Sequence, residues 1–366
     1  IFEGETDGVF NENDKIIFYG RGHSGFDVNN DNVDWNQNLY FNYNTCWMLL
    51  PDDSSIRGKR MEQATAPNEI SLTLDYGLSY FHYENDLVNL DLSGLNWHGS
   101  SVASGSSQPI STNTPNAKEN VDGAIELKMK GYSTSGSLNT FHSIEVHINE
   151  PNSNKIGNTI SWSGNGTRAI SASIPGQDLN QVGNSFFINN TSSDNNSSPY
   201  IDYLTVKYGR KLIFNTGGIE FFSPIKNANV RFDFNSIIPS NVLALDITNP
   251  GQPKTIEVID NQKIDVALEG ENLGRFILVD PSTIMIINEV NYEHGINFNS
   301  LRNENIIADY IIIGPDNFYD SAKPILNLRQ PSIYASLESI YKEFSAGNKD
   351  PMAIRLFLQW TQENWM

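Results

Sequence analysis

The chain has 366 residues, 39% of them hydrophobic, and this length is typical of two or three domains with packed cores. Its 43 Asp and Glu residues outnumber its 24 Lys and Arg residues, which gives a formal net charge of −19 at pH 7. Because nucleic acids and anionic membranes attract basic surfaces, this charge argues against a nucleic-acid or membrane-surface partner. We interpret the acidity as a hydrated surface that keeps the protein in solution.

Cys46 is the single cysteine of the sequence, so an intramolecular disulfide framework is excluded. The sequence has no run of eighteen apolar residues and no charged-then-apolar leader at Ile1, so it predicts neither a membrane span nor a signal peptide. The first residue is not Met, and we expect both ends to be cut from a longer protein.

The first three hundred residues predict mainly β structure. Segments that alternate or run apolar between turn-rich breaks predict strands at 16–20, 39–50, 124–132, 142–149, 185–190 and 200–209. The Ser-, Asn- and Pro-rich stretches 100–120 and 190–199 predict surface loops. This pattern favours antiparallel, jelly-roll-like β-sandwich domains. Later strand signals lie at 220–225, 230–235, 255–260 and 274–280.

The last quarter of the sequence predicts the opening of an α/β domain. The β-branched run at 311–313 is typical of a strand covered on both faces, and a helix, a short strand and a second helix are expected after it. Asp350 and Pro351 form a capped start for that last helix, whose predicted buried face carries Ile354, Phe357, Leu358 and Thr361. The sequence stops at Met366, and we expect the sheet of such a domain to be incomplete at that point.

Several segments resemble the gingipain family of cysteine peptidases, and within it the sortases of the type IX secretion system. The run IYKEFSAGNKDPMAIRLFL (340–358) is similar to the start of the family's catalytic domain. Upstream landmarks follow in the family's order, at 7–22, 84–99, 200–212, 245–250 and 296–314. Leu245 and His98 depart from the family's pattern, in which an aromatic residue is expected at each place.

The resemblance implies the first βαβα units of a caspase-like α/β domain after the β-sandwich domains. We therefore expect an N-terminal β region at 1–64, a β-sandwich at 65–215, a second β segment at 216–298 and the start of a peptidase domain at 299–366. The resemblance further implies a secreted or outer-membrane-surface bacterial protein that acts on secretion cargo beside other secretion-system proteins. The family's catalytic His and Cys are expected downstream of Met366, so this segment alone is predicted to be inactive.

No catalytic residue is predicted within the sequence itself. Cys46 lies in a predicted strand beside Trp47, without a nearby cationic signal that would lower the pKa of its thiol, so we interpret it as structural. The six histidines are dispersed and lack the spacing of zinc ligands. They are His23, His82, His98, His142, His147 and His294.

Calcium is the cofactor for which the sequence offers candidate ligands, at Asp27, Asn29 and Asp31. This stretch lacks the Gly and the closing Glu of a calcium loop, so an Asn-Asp turn is the favoured interpretation. The Asp7-Gly8 pair with Asp14 is a second candidate, and a turn explains it equally well.

An alternative function is a secreted β-sandwich module that binds carbohydrate or protein and carries a degenerate peptidase domain. Trp97, Trp162 and Tyr203 are the aromatic residues that would line a sugar-binding face. Core packing and cross-strand pairing are the more common roles of such side chains.

Overall fold

The structure is a computed structural model that describes residues 2–3, 11–12, 14–48, 60–287, 290 and 300–365. In chain order its strands are β1 (Phe2–Glu3), β2 (Lys15–Ile16), β3 (Ser24–Asn29), β4 (Asn32–Gln37), β5 (Glu62–Gln63), β6 (Leu72–Leu74), β7 (Tyr76–Glu84), β8 (Ser107–Thr112), β9 (Gly123–Lys130), β10 (Phe141–Ile148), β11 (Lys155–Ser163), β12 (Thr167–Ile174), β13 (Asn184–Asn190), β14 (Tyr200–Lys211), β15 (Ile219–Phe222), β16 (Ala228–Asp233), β17 (Leu243–Asp246), β18 (Lys254–Ile256), β19 (Val258–Ile259), β20 (Lys263–Leu268), β21 (Arg275–Val279), β22 (Tyr310–Gly314) and β23 (Ser332–Ser336). Its α-helices are α1 (Tyr319–Leu328), α2 (Leu337–Phe344) and α3 (Met352–Asn364).

The described residues separate into two compact units. Unit 1 comprises those within 1–25, 35–60 and 285–366, and unit 2 comprises 26–34 and those within 61–284. The domain boundaries expected from the sequence stay a prediction.

Unit 2 contains two β-sandwiches that share one long sheet. The shared sheet has nine strands in the order β12-β9-β14-β7-β15-β21-β17-β18-β5. One end faces the four-stranded sheet β11-β10-β13-β8, and residues from both sheets form a common core. Strands β9 and β13 alternate toward that core, where Leu127, Met129 and Phe186 are fully buried.

The second sandwich of unit 2 is built around aromatic side chains. Strands β15, β21 and β17 of the shared sheet face the sheet β19-β20-β16-β6. Phe221, Phe232 and Phe276 are almost fully buried, with ring centroids 5.0 to 5.6 Å apart. The strand pairing within both sandwiches is mainly antiparallel, and the predicted fold class is confirmed.

One predicted loop of unit 2 is partly a strand. Residues 107–112 of the stretch 100–120 form β8, which pairs with β13 at the edge of its sheet. Pro109 lies in this strand, and an edge strand tolerates a proline because one side of its backbone needs no partner. The low apolar content of the stretch concealed this strand.

Unit 1 carries the α/β segment expected from the end of the sequence. Strands β22 and β23 are parallel neighbours and α1 connects them. Asp350 caps α3 as predicted, because its Oδ1 accepts a hydrogen bond of 2.8 Å from the Met352 amide. Phe357 and Thr361 are buried as predicted, whereas Leu358 is 44% exposed and that prediction is wrong.

Two strands predicted near the start of the sequence are also wrong. At 16–20, only Ile16 lies in a strand, and Phe18 is 51% exposed. At 39–50, the described residues 39–48 contain no strand. There, backbone amides bond to side chains, since Asn38 Oδ1 accepts from the amides of Tyr40 and Phe41 at 2.8 and 3.3 Å. Such local bonds compete with a strand ladder.

Candidate functional site

The outer face of the shared sheet carries a cluster of polar and aromatic side chains, which we call the Tyr203 face. Its position follows from strand register, because Tyr203 of β14 lies opposite Glu84 of β7 and Lys128 of β9, and Thr205 lies opposite His82 and Glu126. Residues two apart on a strand point to the same side. The Tyr203 face therefore consists of His82, Glu84, Glu126, Lys128, Tyr203 and Thr205, and Asp202 joins it at a register irregularity of β14, where it pairs with Lys128.

His82 is the most enclosed member of the Tyr203 face, with a side chain only 4% exposed. Its Nδ1 lies 2.8 Å from Thr205 Oγ1 and its Nε2 lies 3.1 Å from Glu84 Oε2. The His82 ring also contacts the Tyr203 ring at a centroid distance of 5.3 Å. Both ring nitrogens are thus held by neighbours, which fixes the orientation of the imidazole.

The Tyr203 ring is held between charged side chains. Its hydroxyl donates a hydrogen bond to Glu126, and Lys128 Nζ lies 5.3 Å from the ring centroid. Lys128 also pairs with Asp202 at 3.0 Å. Partial burial, followed by the hydrogen bond to Glu126, raises the pKa of the Tyr203 phenol well above its usual value.

Negative charge accumulates at one end of this face. Burial and then the neighbouring carboxylates of Glu84 and Asp202 raise the pKa of Asp86 above its ordinary value. The carboxylates beside the Tyr203 ring can accept hydrogen bonds from the hydroxyl or ammonium groups of a ligand.

The three aromatic residues expected to line a sugar-binding face are not together. Trp162 is only 5% exposed and its ring packs 4.9 Å from that of His142, so it has the core-packing role that is the more common one for such side chains. Trp97 is 39% exposed in a loop, where its Nε1 donates to Gly94 O at 3.1 Å. Tyr203 alone lies on the outer face of the sheet.

The candidate calcium ligands lie on the hairpin of β3 and β4. The predicted Asn-Asp turn is confirmed, because Asp27 and Asn29 belong to β3 and Asp31 follows Asn30, whose φ is 55°. Asp31 Oδ1 pairs with Lys226 Nζ at 2.9 Å, and this cation competes with a metal ion for the carboxylate. Calcium binding here stays a prediction.

The second calcium candidate lies mostly outside the described residues. Asp7 and Gly8 are not described, and Asp14 Oδ2 accepts a hydrogen bond of 2.7 Å from the Asn11 amide. Within the part of the chain that the structure describes, no group of three or more His, Cys, Asp or Glu side chains is placed to hold a metal ion.

Two histidines of β10 are buried and bonded to neighbouring loops. His142 is fully buried with Nδ1 2.7 Å from Ser197 Oγ, and His147 Nδ1 lies 2.9 Å from Ser153 O. Burial lowers the pKa of the His142 imidazole, which favours its neutral form. His294 lies outside the described residues.

Cys46 is exposed and does not lie in a strand, which corrects its predicted placement.

In the α/β segment, residues 300–366 contain neither His nor Cys. The carboxyl ends of β22 and β23 are followed by Pro315 and by Leu337, and no thiol or imidazole accompanies them in the sequence there. Among all the residues that the structure describes, no helix has the length and apolar character needed to cross a bilayer.

The comparison with protein families decides the nature of this last segment. Residues 303–366 match peptidase family C25. This C25 segment begins just before β22 and includes all three α-helices. The expected resemblance to the gingipain peptidases is thereby confirmed at its C-terminal landmark.

Nearly the whole chain shares its fold with a solved structure. The crystal structure of dimeric latent PorU from Porphyromonas gingivalis aligns with a TM-score of 0.76 at 16% identity, covering 98% of this chain. The alignment spans 34% of the PorU chain, so this chain corresponds to about a third of that protein. No curated protein matches the chain.

Two carbohydrate-binding modules align with smaller parts of the chain. A family 35 module from Clostridium thermocellum covers 35% of this chain and 90% of its own length, at 20% identity and a TM-score of 0.20. A CBM35 module from Cellvibrio japonicus covers 36% of this chain and 99% of its own length, at 15% identity and a TM-score of 0.22. Scores this low support no conclusion about function.

The other members of the Tyr203 face were not predicted as a site from the sequence. Alternation in β7 and β14 was the available signal, because it places His82 on the same side as Glu84, and Tyr203 on the same side as Thr205. Which strands become neighbours is not visible in either segment alone.

Proposed function

We propose that this chain is the N-terminal part of a secreted or cell-surface, gingipain-like cysteine endopeptidase, a sortase of type IX secretion that removes the C-terminal signal of cargo proteins. The observation that supports this most is the fold shared with PorU over 98% of the chain, combined with the C25 segment at 303–366. The unit that contains the β-sandwiches would present cargo or secretion-system partners to the catalytic domain.

The proposed chemistry belongs to a cysteine and a histidine that we place downstream of Met366. The cysteine thiolate attacks the scissile carbonyl, the histidine transfers the protons, and water or an amine resolves the acyl-enzyme. The C25 segment supplies the first two strands of the sheet that would carry these groups, but not the groups themselves. Cys46 lies outside this segment.

The first test is turnover by the purified 366-residue chain. We expect no hydrolysis of peptides that span a cargo cleavage site, and no difference between the chain and its Cys46→Ala variant. Turnover that the Cys46→Ala change abolishes would contradict the proposed location of the nucleophile.

The second test uses the source bacterium. Deletion of the gene should leave the C-terminal signal on secreted cargo, which intact-mass measurement of cargo detects. Complementation with the Cys46→Ala gene should restore processing, since Cys46 has no catalytic role in the proposal. Normal cargo processing in the deletion strain would reject the sortase function.

A second candidate function is binding of a carbohydrate or protein by the β-sandwiches, with a degenerate peptidase domain. The Tyr203 face favours it, because it combines a partly buried aromatic ring with carboxylates on one sheet surface. Glycan-array binding that a Tyr203→Ala change abolishes, together with normal cargo processing in the deletion strain, would favour this module over the sortase.

A further inference from the structure

Within unit 1, a short N-terminal segment contacts a loop of the C25 segment about three hundred residues away. We call residues 44–47 the strap and residues 345–350 the SAGNKD loop, which joins α2 to α3. The strap has no regular secondary structure, and the loop belongs to the stretch 340–358 that first suggested the family.

Asn348 is the centre of the contact. Its side chain is only 8% exposed, and both ends of its amide bond to the strap. Oδ1 accepts a hydrogen bond of 2.9 Å from the Thr45 amide, and Nδ2 donates one of 2.8 Å to Asn44 Oδ1. An amide that donates and accepts at once recognises its partner through both groups, so this pairing is specific in orientation.

Trp47 provides the second part of the contact. Its Nε1 donates a hydrogen bond of 2.8 Å to Ala346 O. Its ring covers Gly347, where an added Cβ would lie 3.2 Å from Trp47 Cζ2 and 3.3 Å from Thr45 Cγ2. The strap therefore packs on the loop backbone as well as bonding to it.

The loop backbone needs such support because two successive residues adopt left-handed conformations. Ala346 has φ 53° and Gly347 has φ 89°, and the former is unfavourable for a residue with a side chain. The Gly347 amide then bonds to Tyr341 O at 2.7 Å, which closes the end of α2. Three residues later, Asp350 caps α3.

We propose that the strap is a docking element that fixes the SAGNKD loop and thereby the junction of α2 and α3. In this arrangement, the C25 segment is completed by residues 44–47 of the same chain, and its folding unit is discontinuous in sequence. The proposal does not depend on the sortase function. The docking surface is the loop backbone at Ala346 and Gly347 with the Asn348 amide, and its occupant is the strap.

The test uses Cys46, which is exposed within the strap and is the chain's single cysteine. A nitroxide attached to Cys46 reports strap mobility by electron paramagnetic resonance, and hydrogen exchange reports the amides of Gly347 and Asn348. We expect Asn348→Ala to mobilise the label and to accelerate exchange of these amides about tenfold, as expected for a lost hydrogen-bonded contact. Trp47→Ala should act in the same direction.

Lys349→Ala is the matched control, because Lys349 is an exposed neighbour in the same loop. Its label mobility and exchange rates should equal those of the parent chain. Asn44→Ala removes the hydrogen bond between Asn44 Oδ1 and Asn348 Nδ2 without changing the C25 segment. It replaces Asn348→Ala as the test variant if Asn348→Ala does not fold. Equal spectra and equal exchange rates in Asn44→Ala, Asn348→Ala and Lys349→Ala would overturn the proposal.

Discussion

Asn190 gives the sharpest test of how the first sandwich is held together. It ends β13, it is 1% exposed, and its Nδ2 donates to Val102 O at 2.8 Å and to Ser197 Oγ at 3.0 Å. Its Oδ1 accepts from the Ser192 amide at 3.1 Å. One side chain thus joins the strand end to two loops, at 100–106 and 190–199.

The Asn190→Ala change should be costly because it leaves buried polar groups without partners. Val102 O and the Ser192 amide both lose their side-chain partner, and each orphaned buried group costs about 1–3 kcal/mol. The expected loss is therefore about 2–6 kcal/mol, a large part of the 5–15 kcal/mol that is typical of a domain.

Hydrogen exchange is the appropriate assay, because a chain with two compact units need not unfold in one step. A loss of at least about 2 kcal/mol predicts that the amides of β13 exchange about thirtyfold faster or more. Asn158→Ala is the control, since Asn158 is exposed in β11. If Asn190→Ala and Asn158→Ala exchange alike at β13, the assigned role of Asn190 is refuted.

Three further predictions concern the core, a tight turn and acid stability. Phe221→Ala should destabilise the second sandwich by about 3–5 kcal/mol, because a buried ring and its aromatic contacts are lost. Hydrogen exchange of the amides of β15 and β16 should show this loss, whereas Ile237→Ala, at a residue that is 69% exposed, should leave their exchange nearly unchanged. Gly218→Ala should lower the melting temperature while Gly217→Ala should not, since Gly218 has φ 88° and an added Cβ would lie 2.4 Å from Leu278 O, whereas Gly217 has open space. The lowered pKa of His142 means that the unfolded chain binds the proton more readily, so stability should be full above about pH 6.5 and fall as the pH drops below it. His142→Gln should flatten this fall between pH 7.5 and 5.5, and equal slopes would contradict the assignment.

Hydrophobic alternation located four of the long strands of the sandwiches, but not β7, β11 or β12. Segments 124–132, 142–149, 185–190 and 200–209 all became strands within a few residues of the predicted bounds. Each of these strands buries an apolar face, and the positions of the apolar residues in its own sequence indicate which face that is. The same is true of the capped start of α3 at Asp350.

Short or polar segments were mispredicted because their structure depends on hydrogen bonds that their apolar pattern does not show. Segment 39–48 has strand-like residues, yet the side-chain oxygens of Asn38 and Asn348 accept hydrogen bonds from its backbone amides. Segment 107–112 has few apolar residues, yet it forms a strand because its backbone pairs with β13. In both places, the hydrogen-bond partner lies far away in sequence or outside the local pattern, so local propensity could not decide the outcome.

The sequence by itself determined the β-rich composition, the α/β opening near the end and the family of that segment. The tertiary structure decided which strands share a sheet, and thereby brought His82, Glu126 and Tyr203 onto one surface. It also brought Asn348 to the strap, about three hundred residues away. The physical reason is that side-chain periodicity is a local property of the chain, whereas strand neighbours and buried hydrogen bonds are set by packing between distant segments.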